Sequence, residues 1–322
     1  MILAIALIVA GLALLVVGGD FLVRGASGIA LLARVTPTVV GLTIVAAGTS
    51  MPEMVVSLQA AFAGSPAMAM GNVVGSNIFN IAAILGIAAL IAPLRIQGNT
   101  VRLEWPVMML SAFQLHLLAR DGVVDRLEGG FFLVALTIFM TYTVWIGRRQ
   151  AAPVEQAEFA SEMAQLGAAR GKRAWLYNSG QVGLGVALLV GGSTALVHGC
   201  ITIAHASGVS EAVIGLTIVA AGTSLPELAT SAVASWRRQD DIAVANVIGS
   251  NIFNVLAIVG LTAAVQPLPV PAEIIARDNW WMLGLSVLLF PLMRSGMRIT
   301  RAEGAVLLAA FGTYMTVLVA SL

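Results

Sequence analysis

Three carboxylates stand where hydrocarbon is expected. Of the sixteen acidic residues in this 322-residue chain, thirteen fall in polar loops or near predicted helix ends, whereas Asp20, Glu53 and Glu227 lie inside long apolar runs. An Asp at the centre of a spanning helix costs about 2.5 to 3.5 kcal/mol on insertion scales, so such a group normally faces a cavity or a partner and marks an ion or proton path. Glu53 and Glu227 have no basic residue within two turns of their own helix, and a cation held between them is the simplest way to keep both ionised. Asp20 differs, because Arg24 follows it by four residues on the same helix face. That spacing suits an intrahelical ion pair, and we expect the pair to neutralise itself in a structural or gating role.

The residues around each Glu supply oxygen. Thr49, Ser50 and Glu53 lie within one helical turn, as do Thr223, Ser224 and Glu227. Pro52 and Pro226 lack an N–H, which should kink each helix and free the carbonyls of Gly48 and Gly222 to face an ion. Downstream, Ser76 and Asn80 are four apart, as are Ser250 and Asn254, so each pair shares a helix face. Hydroxyl, amide, carbonyl and carboxylate oxygens are the ligands of hard cations such as Ca²⁺. The set contains no His or Cys, which argues against a dedicated soft-metal site. Small polar residues at helical spacing also serve as packing glue between membrane helices, and for Ser76 or Ser57 alone that reading is the stronger one. Gly71, Gly75 and Gly249 are read as close helix contacts.

The two Glu sites are copies. GLTIVAAGTSMPE at 41–53 returns as GLTIVAAGTSLPE at 215–227, and GNVVGSNIFN at 71–80 returns as ANVIGSNIFN at 245–254. One constant offset relates both blocks, carrying Glu53 onto Glu227 and Asn80 onto Asn254. Such self-similarity is the mark of a duplicated unit. Apolar runs predict spans near 2–31, 37–62, 68–91, 103–119 and 128–147, repeated near 176–205, 211–235, 242–265, 278–293 and 302–321. The expected fold is therefore an all-α membrane protein with ten transmembrane helices in two five-helix repeats, residues 1–147 and 176–322, joined by a cytoplasmic linker at 148–175. An odd number of spans per copy makes the second repeat inverted, as in many secondary transporters, and brings Glu53 and Glu227 together at mid-depth across a pseudo-two-fold axis. With both termini outside, thirteen Lys/Arg fall in cytoplasmic loops and three (Arg120, Arg126, Arg277) in outer ones, the bias of the positive-inside rule. The N-terminal run lacks a basic n-region and a cleavage site, and it reads as the first span.

Composition agrees. The chain is 59% hydrophobic and 10% charged, against about 25% charge in soluble domains, which excludes a soluble globular protein. A net charge of +1 offers no polybasic surface for nucleic acid, and the single Cys200 can form neither an internal disulfide nor a thiolate cluster. The expected setting is the lipid bilayer of the cell's inner membrane, with no cofactor and no obligate protein partner.

The repeated GTS-x-PE motif, each copy followed by GSNIFN, resembles the two α-repeats of the calcium/cation antiporter superfamily, and within it prokaryotic sodium/calcium exchangers, over essentially the whole chain. The resemblance implies a Ca²⁺ site between Glu53 and Glu227, completed by the main-chain carbonyls of Thr49 and Thr223. It implies sodium positions that draw on the carbonyls of Ala46 and Ala220, the hydroxyls of Ser50, Ser76, Ser224 and Ser250, and the amides of Asn80 and Asn254. Asn254 replaces an Asp of some prokaryotic members, a departure that bears on the number and affinity of sodium sites. The Ser of both GTS motifs, typically missing from proton/calcium relatives, favours sodium. A non-enzymatic antiporter of Ca²⁺ and Na⁺ is the leading expectation. The alternatives are H⁺-coupled exchange, which suits two facing carboxylates, and a cation channel. An intramembrane hydrolase at Ser50 or Ser224 lacks a neighbouring general base. Alternating access is expected to move the two long first helices of each half against the motif helices, with Gly18, Gly19, Gly191 and Gly192 permitting the sliding.

Overall fold

The computed structural model describes residues 2–33, 35–64, 66–150, 172–206 and 220–320. Arg34, Arg170, the polar middle of the expected linker, and the start of the helix expected near 211 lie outside the described residues. The chain is mainly helical. In order come α1 (Ile2–Ala33), α2 (Pro37–Thr49), α3 (Met51–Phe62), α4 (Pro66–Ile91), α5 (Trp105–Leu118), α6 (Arg126–Gln150), α7 (Lys172–Ala206), α8 (Ala220–Thr223), α9 (Leu225–Trp236), α10 (Asp240–Val265), α11 (Asn279–Arg294) and α12 (Arg301–Ala320). Six of these (α1, α4, α6, α7, α10 and α12) are long and apolar enough to cross a membrane, and a seventh span is added if α2 and α3 count as one broken helix. The offset between the sequence copies holds in the structure: it carries the bounds of α3 onto α9 and those of α4 onto α10 without remainder.

Burial separates inner from outer helices. In their most apolar stretches α10 is 94% buried and α4 72%, whereas α1, α6, α7 and α12 are only 17–28% buried. Since all six are apolar, the difference identifies α4 and α10 as core and leaves the faces of the others for lipid. The inner pair is also where Asn concentrates, with three on each helix; a buried polar side chain needs a protein partner. The halves interleave: α12 packs on the end of α4, and α6 on the end of α10.

The two outer helices α1 and α7, 32 and 35 residues long, would reach roughly 48 and 53 Å at 1.5 Å per residue. They run antiparallel along a seam of small residues. A side chain at Gly11 would meet the Gly192 carbonyl at 2.7 Å, and one at Gly18 would meet that of Gly185 at 3.0 Å. Gly18 and Gly192 therefore join the two long helices to each other, which corrects the expectation that they lubricate sliding on the core. Gly19 alone of the four faces the motif helices, against Ala229 and Val233 of α9, while Gly191 meets no atom of the described residues within 4 Å. Gly249 does permit close contact, with Leu42 and Ala46 of α2. For Gly71 and Gly75 nothing among the described residues lies within 4 Å, and the counterpart of Leu42 falls in the undescribed 207–219.

Two short antiparallel pairings tie the loops. Strand β1 (Leu94–Arg95) pairs with β4 (Arg298–Ile299), and β2 (Val123–Val124) with β3 (Leu268–Pro269). Each joins one loop from each half.

Candidate functional site

The break in the first motif falls at Ser50, whose φ/ψ of −82°/8° leaves the helical region, and α2 and α3 meet there at 45°. Ser224 breaks the second copy with −88°/7°. Pro52 and Pro226 occupy the first turn after each break, a position where a missing N–H does little harm. Each Glu thus sits in the first turn of a fresh helix, α3 or α9, favoured there by the helix dipole. Both motifs are followed by inner helices with a wide π-helical turn, at Phe79–Ile84 in α4 and Asn254–Val259 in α10, a feature frequent at functional sites.

Glu53 and Glu227 are both 0% exposed, and serines exchanged between the halves hold them. Ser50 Oγ donates to Glu227 Oε1 at 2.8 Å, and Ser224 Oγ donates to Glu53 Oε1 at 2.9 Å. Ser76 and Ser250 complete the ring: Ser250 Oγ reaches Glu227 Oε1 at 3.5 Å, and the Ser224 and Ser76 hydroxyls are 3.2 Å apart. The Thr49 hydroxyl meets Asn246 Oδ1 at 3.2 Å, and the Thr223 hydroxyl meets Asn72 Oδ1 at 3.4 Å. Asn254 donates to Asn77 Oδ1 at 3.0 Å. Asn80 is 1% exposed, and its amide makes no hydrogen bond among the described residues. All four Ser, both Glu, Thr49, Asn80 and Asn254 are buried.

Among the described residues several oxygens remain without a hydrogen bond: Oε2 of Glu53, Oε2 of Glu227, and Oδ1 of Asn80, Asn254 and Asn251. A buried polar atom left unpaired costs about 1 to 3 kcal/mol, and more when charged. Carboxylate and amide oxygens in this state fit a hard cation. Among the described residues no three His, Cys, Asp or Glu side chains gather as a metal cluster, so two carboxylates are all the negative charge the ring provides.

The carbonyls behave less simply than the sequence suggested. That of Gly222, freed by Pro226, accepts the Ser193 hydroxyl of α7, so a hydroxyl on the neighbouring helix takes one of the two lone pairs expected to face an ion. The Ala46 carbonyl accepts the Ser50 N–H at 3.0 Å and the Thr49 hydroxyl at 3.4 Å. Ala220 opens α8 beside the undescribed segment.

Asp20 is paired with Arg24 at 2.9 Å, as expected, but also with Arg237 of the loop after α9. The self-contained pair is thus a three-member bridge between α1 and that loop, reinforced by Ser27 donating to Gln239 at 3.0 Å. His116 packs against Trp280, ring centroids 4.7 Å apart.

Sequence reasoning missed four asparagines, Asn72, Asn77, Asn246 and Asn251, whose presence in both motif copies was the available signal. It also placed Glu104 and Asp278 at helix ends, yet they are 4% and 8% exposed. These two are likewise equivalent positions of the two copies. Asp278 pairs with Arg277 at 2.8 Å and accepts the Tyr314 hydroxyl at 3.4 Å.

A buried ring of oxygens walled by apolar helices is the build of a multi-pass membrane transporter for cations. The chain belongs to the sodium/calcium exchanger protein family, whose model matches residues 3–145 and 178–320. It is 39% identical to a putative antiporter CaxA of Alkalimonas amylolytica over the whole of both chains. It is 32% identical to the sodium/calcium exchanger MaX1 of Methanosarcina acetivorans over 96% of each. The solved sodium-calcium exchanger NCX_Mj superposes with a TM-score of 0.84 at 29% identity, covering 98% of this chain and 99% of that one.

Proposed function

We propose that the protein exchanges Ca²⁺ for Na⁺ across the inner membrane by alternating access, binding its cargo at mid-depth between Glu53 and Glu227. The observation that carries this reading is the reciprocal pair of serine bonds: each Glu has one oxygen fixed from the opposite half and the other unpaired. Thr49, Thr223, Ser50, Ser224, Ser76, Ser250, Asn80, Asn254, Ala46 and Ala220 complete the proposed ligand set, with the Thr and Ala residues acting through their carbonyls.

The same reading takes the fold as ten spans in two inverted five-helix repeats with both termini outside and the linker cytoplasmic. The strand pairings support it. β1 and β4 join two loops assigned to the cytoplasm by their Arg content, and β2 and β3 join two assigned outside. Charge then sets the electrical character. Two carboxylates are neutralised by one Ca²⁺ or two H⁺, whereas three Na⁺ would leave one positive charge, worth about 2.3 kcal/mol per 100 mV. Shared ligands make the ions compete, which is what couples their movements.

The test is ⁴⁵Ca²⁺ uptake into proteoliposomes loaded with Na⁺, beside a matched set with a pH gradient and no sodium. Sodium-driven, saturable uptake is the expected result. Uptake driven only by the pH gradient would replace Na⁺ by H⁺ at the same site, and non-saturable flux would indicate a channel.

A further inference from the structure

Asn72 and Asn246 occupy equivalent positions on the two inner helices, and each side chain ties three places together. The Asn72 amide donates to the main-chain oxygen of Glu53 at 3.2 Å and to Ser57 Oγ at 3.0 Å, while its Oδ1 meets the hydroxyl of Thr223 from the opposite half at 3.4 Å. The Asn246 amide donates to the Glu227 main-chain oxygen at 3.4 Å and to Ser231 Oγ at 3.0 Å, and its Oδ1 meets the Thr49 hydroxyl at 3.2 Å. The six contacts form two equivalent sets of three.

The chemistry is specific to a primary amide. Only Asn of this length presents two donors and an acceptor on one plane. Its donors fasten the first turn of the Glu helix, where the chain has just broken at Ser50 or Ser224. Its acceptor fastens the residue before the break in the other half. We infer that Asn72 and Asn246 are positioning residues that set the Glu carboxylate of one half against the Thr carbonyl of the other, so that the two half-sites close on an ion as one unit. This rests on the Ca²⁺ site proposed above. It explains why Ser57 and Ser231, both fully buried, recur in both copies although neither bonds to a Glu carboxylate: each takes one amide proton.

The experiment is Ca²⁺ titration of purified protein in detergent, read by equilibrium ⁴⁵Ca²⁺ binding, with the melting temperature in EGTA recorded for each variant. Asn72→Leu and Thr223→Val each break the inter-half contact, one from either side, so a folding failure in one leaves the other to report. The expected result is a rise of about tenfold or more in half-saturating Ca²⁺ for each, with the ion-free melting temperature little changed. The Asn72→Leu/Thr223→Val double variant should be no worse than the weaker-binding single, since the inter-half contact that Thr223→Val removes is already gone in Asn72→Leu. Unchanged half-saturation in the singles, or additive losses in the double, would overturn the inference. Glu53→Gln separates the two levels of argument: Ca²⁺ binding that survives this change removes the site itself, whereas its loss alongside normal binding in the Asn72 and Thr223 variants removes only the positioning role.

Discussion

The two copies of the motif agree around the glutamates and part company at the ends of the same helices. At the centre, Ser50 meets Glu227 at 2.8 Å and Ser224 meets Glu53 at 2.9 Å, and the Asn72 and Asn246 contacts match one for one. At the periphery, Asp20, Arg24 and Arg237 form an ion bridge, while the equivalent positions of the other copy hold Thr194, His198 and Ala63. Arg238 takes φ 60° where its counterpart Gly64 takes φ 75°. On the proposed reading the centre lies on a pseudo-two-fold axis, where one ion is grasped from both sides by the same groups, while the ends face two different membrane surfaces and need not match. On that reading, equivalence between copies is a guide to what touches the cargo.

That comparison can be broken. The largest effect is expected from Glu53→Gln and from Glu227→Gln, each of which removes half the charge of the site while keeping its shape. Sodium-driven ⁴⁵Ca²⁺ uptake should fall at least about a hundredfold in either, and near-normal transport in one would show that the halves are not equivalent. Next come Ser50→Ala and Ser224→Ala. A hydrogen bond to a charged group contributes about 1.5 to 3 kcal/mol, so Ca²⁺ half-saturation should rise roughly tenfold or more, and by similar factors in the two variants; a large disparity would contradict the reciprocal geometry.

Asn254→Asp sharpens the picture at a point where both copies carry Asn but only one of the two amides donates a hydrogen bond among the described residues. It exchanges the amide that donates to Asn77 for a third carboxylate, and the expected outcome is a larger change in the Na⁺ dependence of uptake than in Ca²⁺ affinity. The smallest effect belongs to the periphery. Asp20 and Arg237 are 27% and 30% exposed, and exposed ion pairs contribute about 0.2 to 1 kcal/mol and weaken with salt. Asp20→Asn should leave Ca²⁺ binding unchanged and lower the melting temperature by a few degrees at most, an effect that shrinks at high ionic strength.

Much of this was legible in the chain. The constant offset between the copies, a break within two residues of each Pro and the equivalence of Glu53 and Glu227 follow from local chemistry and repetition, and the helix bounds that are described fall within a few residues of the apolar runs. The crossing of the serines was not legible, because Ser50 is three residues from Glu53 and nothing in their spacing says that it serves Glu227. Nor was the reach of Arg237 to Asp20, or the burial of Glu104 and Asp278, since burial depends on which helix covers which. Gly18 and Gly192 were recognised as small but assigned to the wrong neighbour.

The sequence by itself determined that the molecule is apolar and helical, that it is built twice, and that it carries two carboxylates with oxygen-bearing neighbours and no basic residue nearby in the chain. These are properties of composition and of spacing along one strand of chain, where forces act over a helical turn. Only the tertiary structure decided which half supplies each hydrogen bond, which oxygens stay unpaired and which glycines touch which helix. Those outcomes join groups far apart in the chain, such as Ser50 with Glu227 and Thr223 with Asn72, and distance along the backbone places no limit on packing in space.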